Sequence, residues 1–255
     1  EDDKNVKTDV AIVSDAKQAL ELLIPKINPN THAEWMDSFA QLRKIEDEKV
    51  INKDCFPSEG QMHMGEVINK VSEKTKGEAI IVTDVGQQQM ASARYYQYNK
   101  QNSLITSGGL GTMGFGVPAG MGVALAKPDR PIIVFVGDGG FQMTIQELGT
   151  IAQYKLPVKI VLLNNNFLGM VRQWQELFFD GRYASTELVN PDFLKIADGF
   201  GVPGKQISDR EDLDSTIDDL LSFDGPFLLE VKVTKEGNIF PMVPAGASVS
   251  EIRLD

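Results

Sequence analysis

Pro131-Ile132-Ile133-Val134-Phe135-Val136-Gly137-Asp138-Gly139-Gly140 decides the reading of the chain. An unbroken apolar run rich in β-branched residues is the pattern of a strand covered on both faces. The glycines after it let the backbone turn sharply and approach a ligand closely. A helix is expected next, over about 141–153, with Met143, Leu148, Ile151 and Ala152 inward. Free N–H groups at such a helix start suit a phosphate. Asp138 beside that anion would repel it unless a cation lay between, and Mg²⁺ commonly bridges carboxylates to phosphates. The same residues also read as an ordinary strand-to-helix turn with an N-capping Asp.

The next units outward repeat the pattern. Strand Val158-Lys159-Ile160-Val161-Leu162-Leu163 ends at Asn164-Asn165-Asn166, and Asn165 lies 27 positions after Asp138. That separation fits one βαβ crossover, which sets both residues at neighbouring strand ends. An Asn oxygen is a neutral hard ligand. A run of asparagines alone also reads as a polar turn, but the pairing favours a metal–diphosphate site. Upstream, helix 64–75 leads into strand Ala79-Ile80-Ile81-Val82. Between these units, Ser107 to Pro118 is glycine-rich with apolar residues interleaved. A helix from Pro118 to Leu125 makes a ligand cradle a better reading than a flexible loop. Downstream, helices over about 168–177, 191–199 and 210–221 precede strand Phe227–Val233.

Apolar strands alternating with amphipathic helices give an α/β fold: a doubly wound, mostly parallel sheet with helices on both faces. Ligands of such sheets sit at the carboxyl ends of the strands. The organisation expected is an appendage over 1–30, a helical connector over 31–63 and the α/β domain over 64–255. In the appendage Val10–Val13 is expected as a short strand. Ser14 or Asp15 should cap a helix that stops near Pro25. Trp35, Phe39, Leu42 and Ile45 fall at helical spacing in the connector.

Composition excludes several classes. The 255 residues hold 25 Lys and Arg against 36 Asp and Glu, a formal charge of −11. That argues against nucleic acid or an anionic membrane as partner. Cys55 alone cannot form an internal disulfide and fits a reducing, cytoplasmic compartment. His32 and His63 are too few for a His-rich zinc site and read as solvated surface residues. No run approaches the roughly 20 apolar residues of a membrane span. The charged first residues, from Glu1 to Asn5, show no signal-peptide core.

Asp138 with its glycines, followed by the paired asparagines, resembles the thiamine-diphosphate motif. Ile81 to Gln87, Ser107 to Pro118, Gly169 to Gln175 and Phe240 to Ala247 are similar to the acetohydroxyacid (acetolactate) synthase large-subunit family, strongly over about 64–255. The resemblance implies Mg²⁺ held by Asp138, Asn165 and the Phe167 carbonyl. It implies a diphosphate lined by Gln87, Gln88, Gly139, Gly140, Leu168 and Gly169. Gly111 and Met113 would contact the aminopyrimidine, with Thr112 also binding the cofactor and Met113 keeping it bent. Trp174 and Met170 would line the pocket of the second keto acid. Pyruvate would lose CO₂ and condense with pyruvate or 2-oxobutyrate. Outside the family, Met113 reads as core filler and Trp174 as a packing residue. Gln88 and Ala91 replace the His and Trp that many members carry.

The family further implies a pyrimidine domain bearing an activating Glu, an FAD-binding central domain, a homo-oligomer and a possible regulatory small subunit. Neither domain is expected within this chain, apart from residues 1–30, which look like the central domain's tail. The chain is therefore expected to be a piece without turnover. Two rivals remain. One is another thiamine-diphosphate enzyme, such as a pyruvate oxidase or 2-keto acid decarboxylase. The other is a non-catalytic Mg²⁺-nucleotide module.

Overall fold

The computed structural model describes residues 7–255; the first six residues of the expected appendage lie outside it. The chain divides into two compact units, one ending at Lys44 and the other running from Ile45 to Asp255.

In the first unit, α1 (Ala16–Leu23) is capped by Asp15, whose carboxylate accepts from the N–H groups of Lys17 and Gln18 at 3.0 and 3.3 Å. A 3₁₀ turn over Ile24–Lys26 follows, and then α2 (Ala33–Glu46), whose last two residues count with the second unit. No residue from 7 to 44 is buried. The strand expected at Val10–Val13 does not form. A lone extended segment has no ladder for its N–H and C=O groups, and Val13 is 89% exposed.

The second unit opens with a π-helical turn, Asp47–Ile51, then α3 (Asn52–Cys55) and α4 (Met64–Thr75). Cys55 and Met62 are buried in the core of this unit, so residues 45–63 pack with the α/β domain. The sheet follows: β1 (Ile80–Thr83), β2 (Leu104–Thr106), β3 (Ile132–Gly137), β4 (Val158–Asn164), β5 (Gly204–Ile207) and β6 (Phe227–Lys232). All neighbours pair in parallel, in the order β2-β1-β3-β4-β6-β5. The connecting helices are α5 (Gln87–Tyr95), α6 (Gly116–Ala126), α7 (Asp138–Met143), α8 (Glu147–Tyr154), α9 (Gly169–Phe178), α10 (Phe193–Gly199) and α11 (Leu213–Ser222).

The two-residue period of the strands sorts the core into two layers. Ile81, Ile133, Phe135, Val161 and Leu163 face α4, α5 and α11. Val82, Val134, Val136, Ile160 and Leu162 face α6, α8 and α10. Each such buried side chain contributes roughly 1.5–3 kcal/mol. The chain winds from β1 out to β2, then crosses back to β3 on the other side of β1. That reversal opens a crevice at the carboxyl ends of β1 and β3.

Two local expectations are corrected. The helix expected over 141–153 is two helices, α7 and α8, parted at Thr144–Gln146. The first begins at Asp138 itself, not near Phe141. Gly139 and Gly140 are therefore helical residues and do not form the turn.

Candidate functional site

A cavity of about 150 Å³ lies in that crevice. Gln87, Gln88, Gly111, Met113, Asp138, Gly139, Gly140, Asn165, Phe167, Leu168, Gly169 and Met170 all line it. Thr112 does not. It is exposed, and its N–H donates to Ser107 Oγ at 3.0 Å. Trp174 stands beside the cavity, on a separate open groove shared with Met170, Phe179 and Arg182. It is 45% exposed and packs edge-on against Phe178.

The β3–β4 register sets Gly137 opposite Leu163, so Asp138 and Asn165 leave neighbouring strand ends. Asp138 is 1% exposed. Its Oδ1 accepts from the Gly139 N–H at 3.1 Å, and its Oδ2 from Asn190 Nδ2 at 2.7 Å. Burial pushes its pKa up, against the lowering effect of the Asn190 and Gly139 bonds. A cation there would relieve that penalty. Asn165 is also buried; its Oδ1 accepts from the Phe167 N–H at 3.2 Å and keeps a second lone pair. Asn166 takes the left-handed conformation, φ 57°, that Asn tolerates.

The glycines serve space more than rotation. A Cβ on Gly139 would come within 2.6 Å of Leu168 Cδ2, and one on Gly140 would collide with the Asp84 carboxylate. A Cβ on Gly169 would lie 2.8 Å from Asn165 Nδ2. Gly86 is different. Its φ of 143° takes the chain from β1 into α5, a conformation only glycine adopts readily.

The two glutamines prove unlike. Gln87 donates to Gln173 Oε1 and to the Gly237 carbonyl, both at 2.8 Å, and accepts from Asn165 at 3.4 Å. Its amide is fully engaged. Gln88 is 3% exposed, and its Nε2 is buried without any hydrogen-bond partner. A buried unpaired donor costs about 1–3 kcal/mol, and Gln88 is one of the residues lining the cavity.

Three residues that hold the candidate site together were not read from the sequence as site members. Asn190 donates to Asp138 and, at 3.0 Å, to Asn164 Oδ1, while accepting from Gln142 at 2.9 Å. Gln173 anchors Gln87 and receives the Ile239 N–H at 3.1 Å. Asp84, fully buried at the end of β1, accepts from the N–H groups of Gly114 and Gly116. Asp84 and Gln173 carried a signal: Asp84 by its place directly after an apolar strand, and both by lying inside stretches similar to the family. Asn190-Pro191 reads as a plain turn.

The donor set fits Mg²⁺ with a diphosphate. Among the described residues no group of three or more His, Cys, Asp or Glu could hold a metal. One carboxylate, an Asn oxygen and a carbonyl are hard ligands that leave positions for water and phosphate oxygens. The unpaired Gln88 amide supplies a donor for such an anion.

Residues 84–231 match the family described as thiamine pyrophosphate enzyme, C-terminal TPP binding domain. The chain is 42% identical over 235 residues to acetolactate synthase isozyme 2 large subunit of Escherichia coli K12, covering 91% of this chain and 42% of that protein. It is 43% identical over 256 residues to the acetolactate synthase large subunit of Lactococcus lactis, covering 98% and 43%. It thus spans about two fifths of these relatives. Among solved structures, a thiamine diphosphate-dependent 4-hydroxybenzoylformate decarboxylase of Rhodococcus jostii RHA1 aligns with TM-score 0.65 and 31% identity, over 71% of this chain and 34% of that one.

Proposed function

Since the chain belongs to the thiamine pyrophosphate enzyme family, as its C-terminal cofactor-binding domain, we propose that it forms the Mg²⁺–diphosphate half of an acetolactate synthase active site. The observation that carries this reading is the cavity itself. A buried carboxylate, an Asn oxygen and an unpaired amide donor converge where β1 and β3 part. In this reading Asp138, Asn165 and the Phe167 carbonyl hold Mg²⁺. Gln88 donates to the diphosphate, and Gly139 and Gly169 let it approach. Gly111 and Met113 border the aminopyrimidine. Thiamine diphosphate, when bound, supplies the electron sink for decarboxylation of a 2-keto acid.

Pyruvate would be the donor and pyruvate or 2-oxobutyrate the acceptor. Met170, shared by cavity and groove, and Trp174 would hold the acceptor beside the reacting centre. FAD, a homo-oligomer and a regulatory small subunit enter the proposal only for a protein of the relatives' full length. The single unpaired thiol, Cys55, suits a cytoplasmic setting. No helix among the described residues is long and apolar enough to cross a membrane.

Calorimetry tests the reading. Thiamine diphosphate with Mg²⁺ should bind this chain, ATP with Mg²⁺ should not, and Asp138→Ala should abolish the signal. Equal binding of ATP, or an unaffected Asp138→Ala variant, would overturn it. Turnover is expected only from a protein of the relatives' length. There, acetolactate formed from pyruvate supports the synthase, and acetaldehyde alone would favour the decarboxylase that the structural neighbour suggests.

A further inference from the structure

We propose that Asp84 is a positioning residue for the thiamine end of the cofactor: it clamps the Gly111–Gly116 turn so that Met113 stands at the cavity. The inference rests on the reading of that cavity as a thiamine-diphosphate site. It begins with cost. A carboxylate with no exposed surface is retained only where hydrogen bonds offset its lost hydration. Asp84 has two, and both come from one segment. Oδ1 accepts from the Gly114 N–H at 3.1 Å and Oδ2 from the Gly116 N–H at 2.8 Å.

The segment needs such a clamp. Gly111 and Gly114, on either side of Met113, have φ of 62° and 82°, and glycine visits many other conformations as readily. Gly114 is held from both sides, since its carbonyl accepts from Thr144 Oγ1 at 3.1 Å. Asp84 is itself fixed to the sheet, its N–H donating to the Phe135 carbonyl at 2.9 Å. So the position of Met113 is referred to β1 and β3, the strands that flank the crevice. Met113 Cε lies 3.7 Å from where a Cβ on Gly139 would stand. The diphosphate side is secured separately, through Asn190 on Asp138 and the Phe167 N–H on Asn165.

The clamp therefore separates two ligands that differ only in their thiamine part. Asp84→Asn keeps the shape but turns one acceptor into a donor facing a backbone N–H. It should weaken thiamine diphosphate with Mg²⁺ by about tenfold, the loss of one buried charge-assisted bond. Inorganic diphosphate with Mg²⁺ should bind within about twofold of wild type, because none of its proposed contacts is lost. Amide exchange within 107–116, measured on the ligand-free chain, should speed up about tenfold. Equal weakening of both ligands, or unchanged exchange in that segment, would overturn the proposal. If wild type binds neither ligand, the site reading fails, and the exchange result still decides whether Asp84 clamps the turn. Should Asp84→Asn unfold the chain, Thr144→Val, which removes only the hydroxyl on the Gly114 carbonyl, replaces it. It must show the same selective loss of thiamine diphosphate, and no loss or an equal loss overturns the proposal.

Discussion

Asn190 sits between two acceptors, Asp138 Oδ2 and Asn164 Oδ1, and cannot leave one without releasing the other. Groups that orient a ligating carboxylate typically hold 10–100-fold in metal affinity. Asn190→Ala should lose about that much Mg²⁺ affinity in a titration at saturating thiamine diphosphate. An unchanged Mg²⁺ titration would mean that Asp138 orients itself. Cys55 offers a second test. Burial, reinforced by neighbouring Asp54, pushes its thiol up from 9.0 to about 12. The folded chain then keeps a proton that the unfolded chain loses, so this contribution to stability is full below pH 9 and fades as pH rises towards 12. Native protein should resist alkylation at pH 8 that urea-unfolded protein accepts. The stability gap between wild type and Cys55→Ala should narrow above pH 9. Asp138 and Asn165 were legible in the sequence as candidates because they directly follow apolar strands, the ends at which ligands of such sheets bind. The difference between Gln87 and Gln88 was not. It is decided by Gln173 and Gly237, 86 and 150 positions from Gln87.

The strands that the sequence revealed are the interior ones. β1, β3, β4 and β6 are buried on both faces and read as apolar runs. β2 and β5 are the edges of the sheet, three and four residues long and partly exposed, so no periodicity marks them. α5 was hidden for another reason. Its buried side includes Gln87, Gln88 and Ser92, polar residues that serve the site or bond to backbone. The break between α7 and α8 has no Gly or Pro to announce it. Thr144 leaves the helix, and its hydroxyl bonds to the distant Gly114 carbonyl. Close packing of helix on sheet was equally silent. A Cβ on Gly120 of α6 would stand 2.5 Å from Val134 Cγ2 of β3. Gly120→Ala should therefore destabilise by about 1–3 kcal/mol through overpacking. The measurement is the urea midpoint, and an unchanged midpoint would show that α6 can slide on the sheet.

The net charge of −11 argues against anionic partners, and the order of strands places the crevice in which the candidate residues gather. Most of the residues to which the resemblance pointed line one cavity, because they lie in contiguous motifs at strand ends; Thr112 and Trp174 do not. What it left unseen lies in the links between motifs. The two units also differ in how they are held. Nothing from 7 to 44 is buried, whereas Ile45 onward carries both core layers. A chain starting at Ile45 should keep its melting temperature within about 4 °C, since removing exposed residues shifts stability little. It should bind Mg²⁺–thiamine diphosphate as before. A drop well beyond that would show that the first unit supports the second.

The strand order has a consequence for how the protein is made. β6 is the last strand of the sheet in sequence, yet it lies between β4 and β5. As the chain leaves the ribosome, β4 must wait with a bare, apolar edge for some sixty residues, and β5 cannot pair at all until β6 inserts between them. Unpaired edges of this kind recruit other chains. The nascent sheet is thus most vulnerable just before β6 emerges, and chaperone capture should peak on ribosomes stalled short of Phe227.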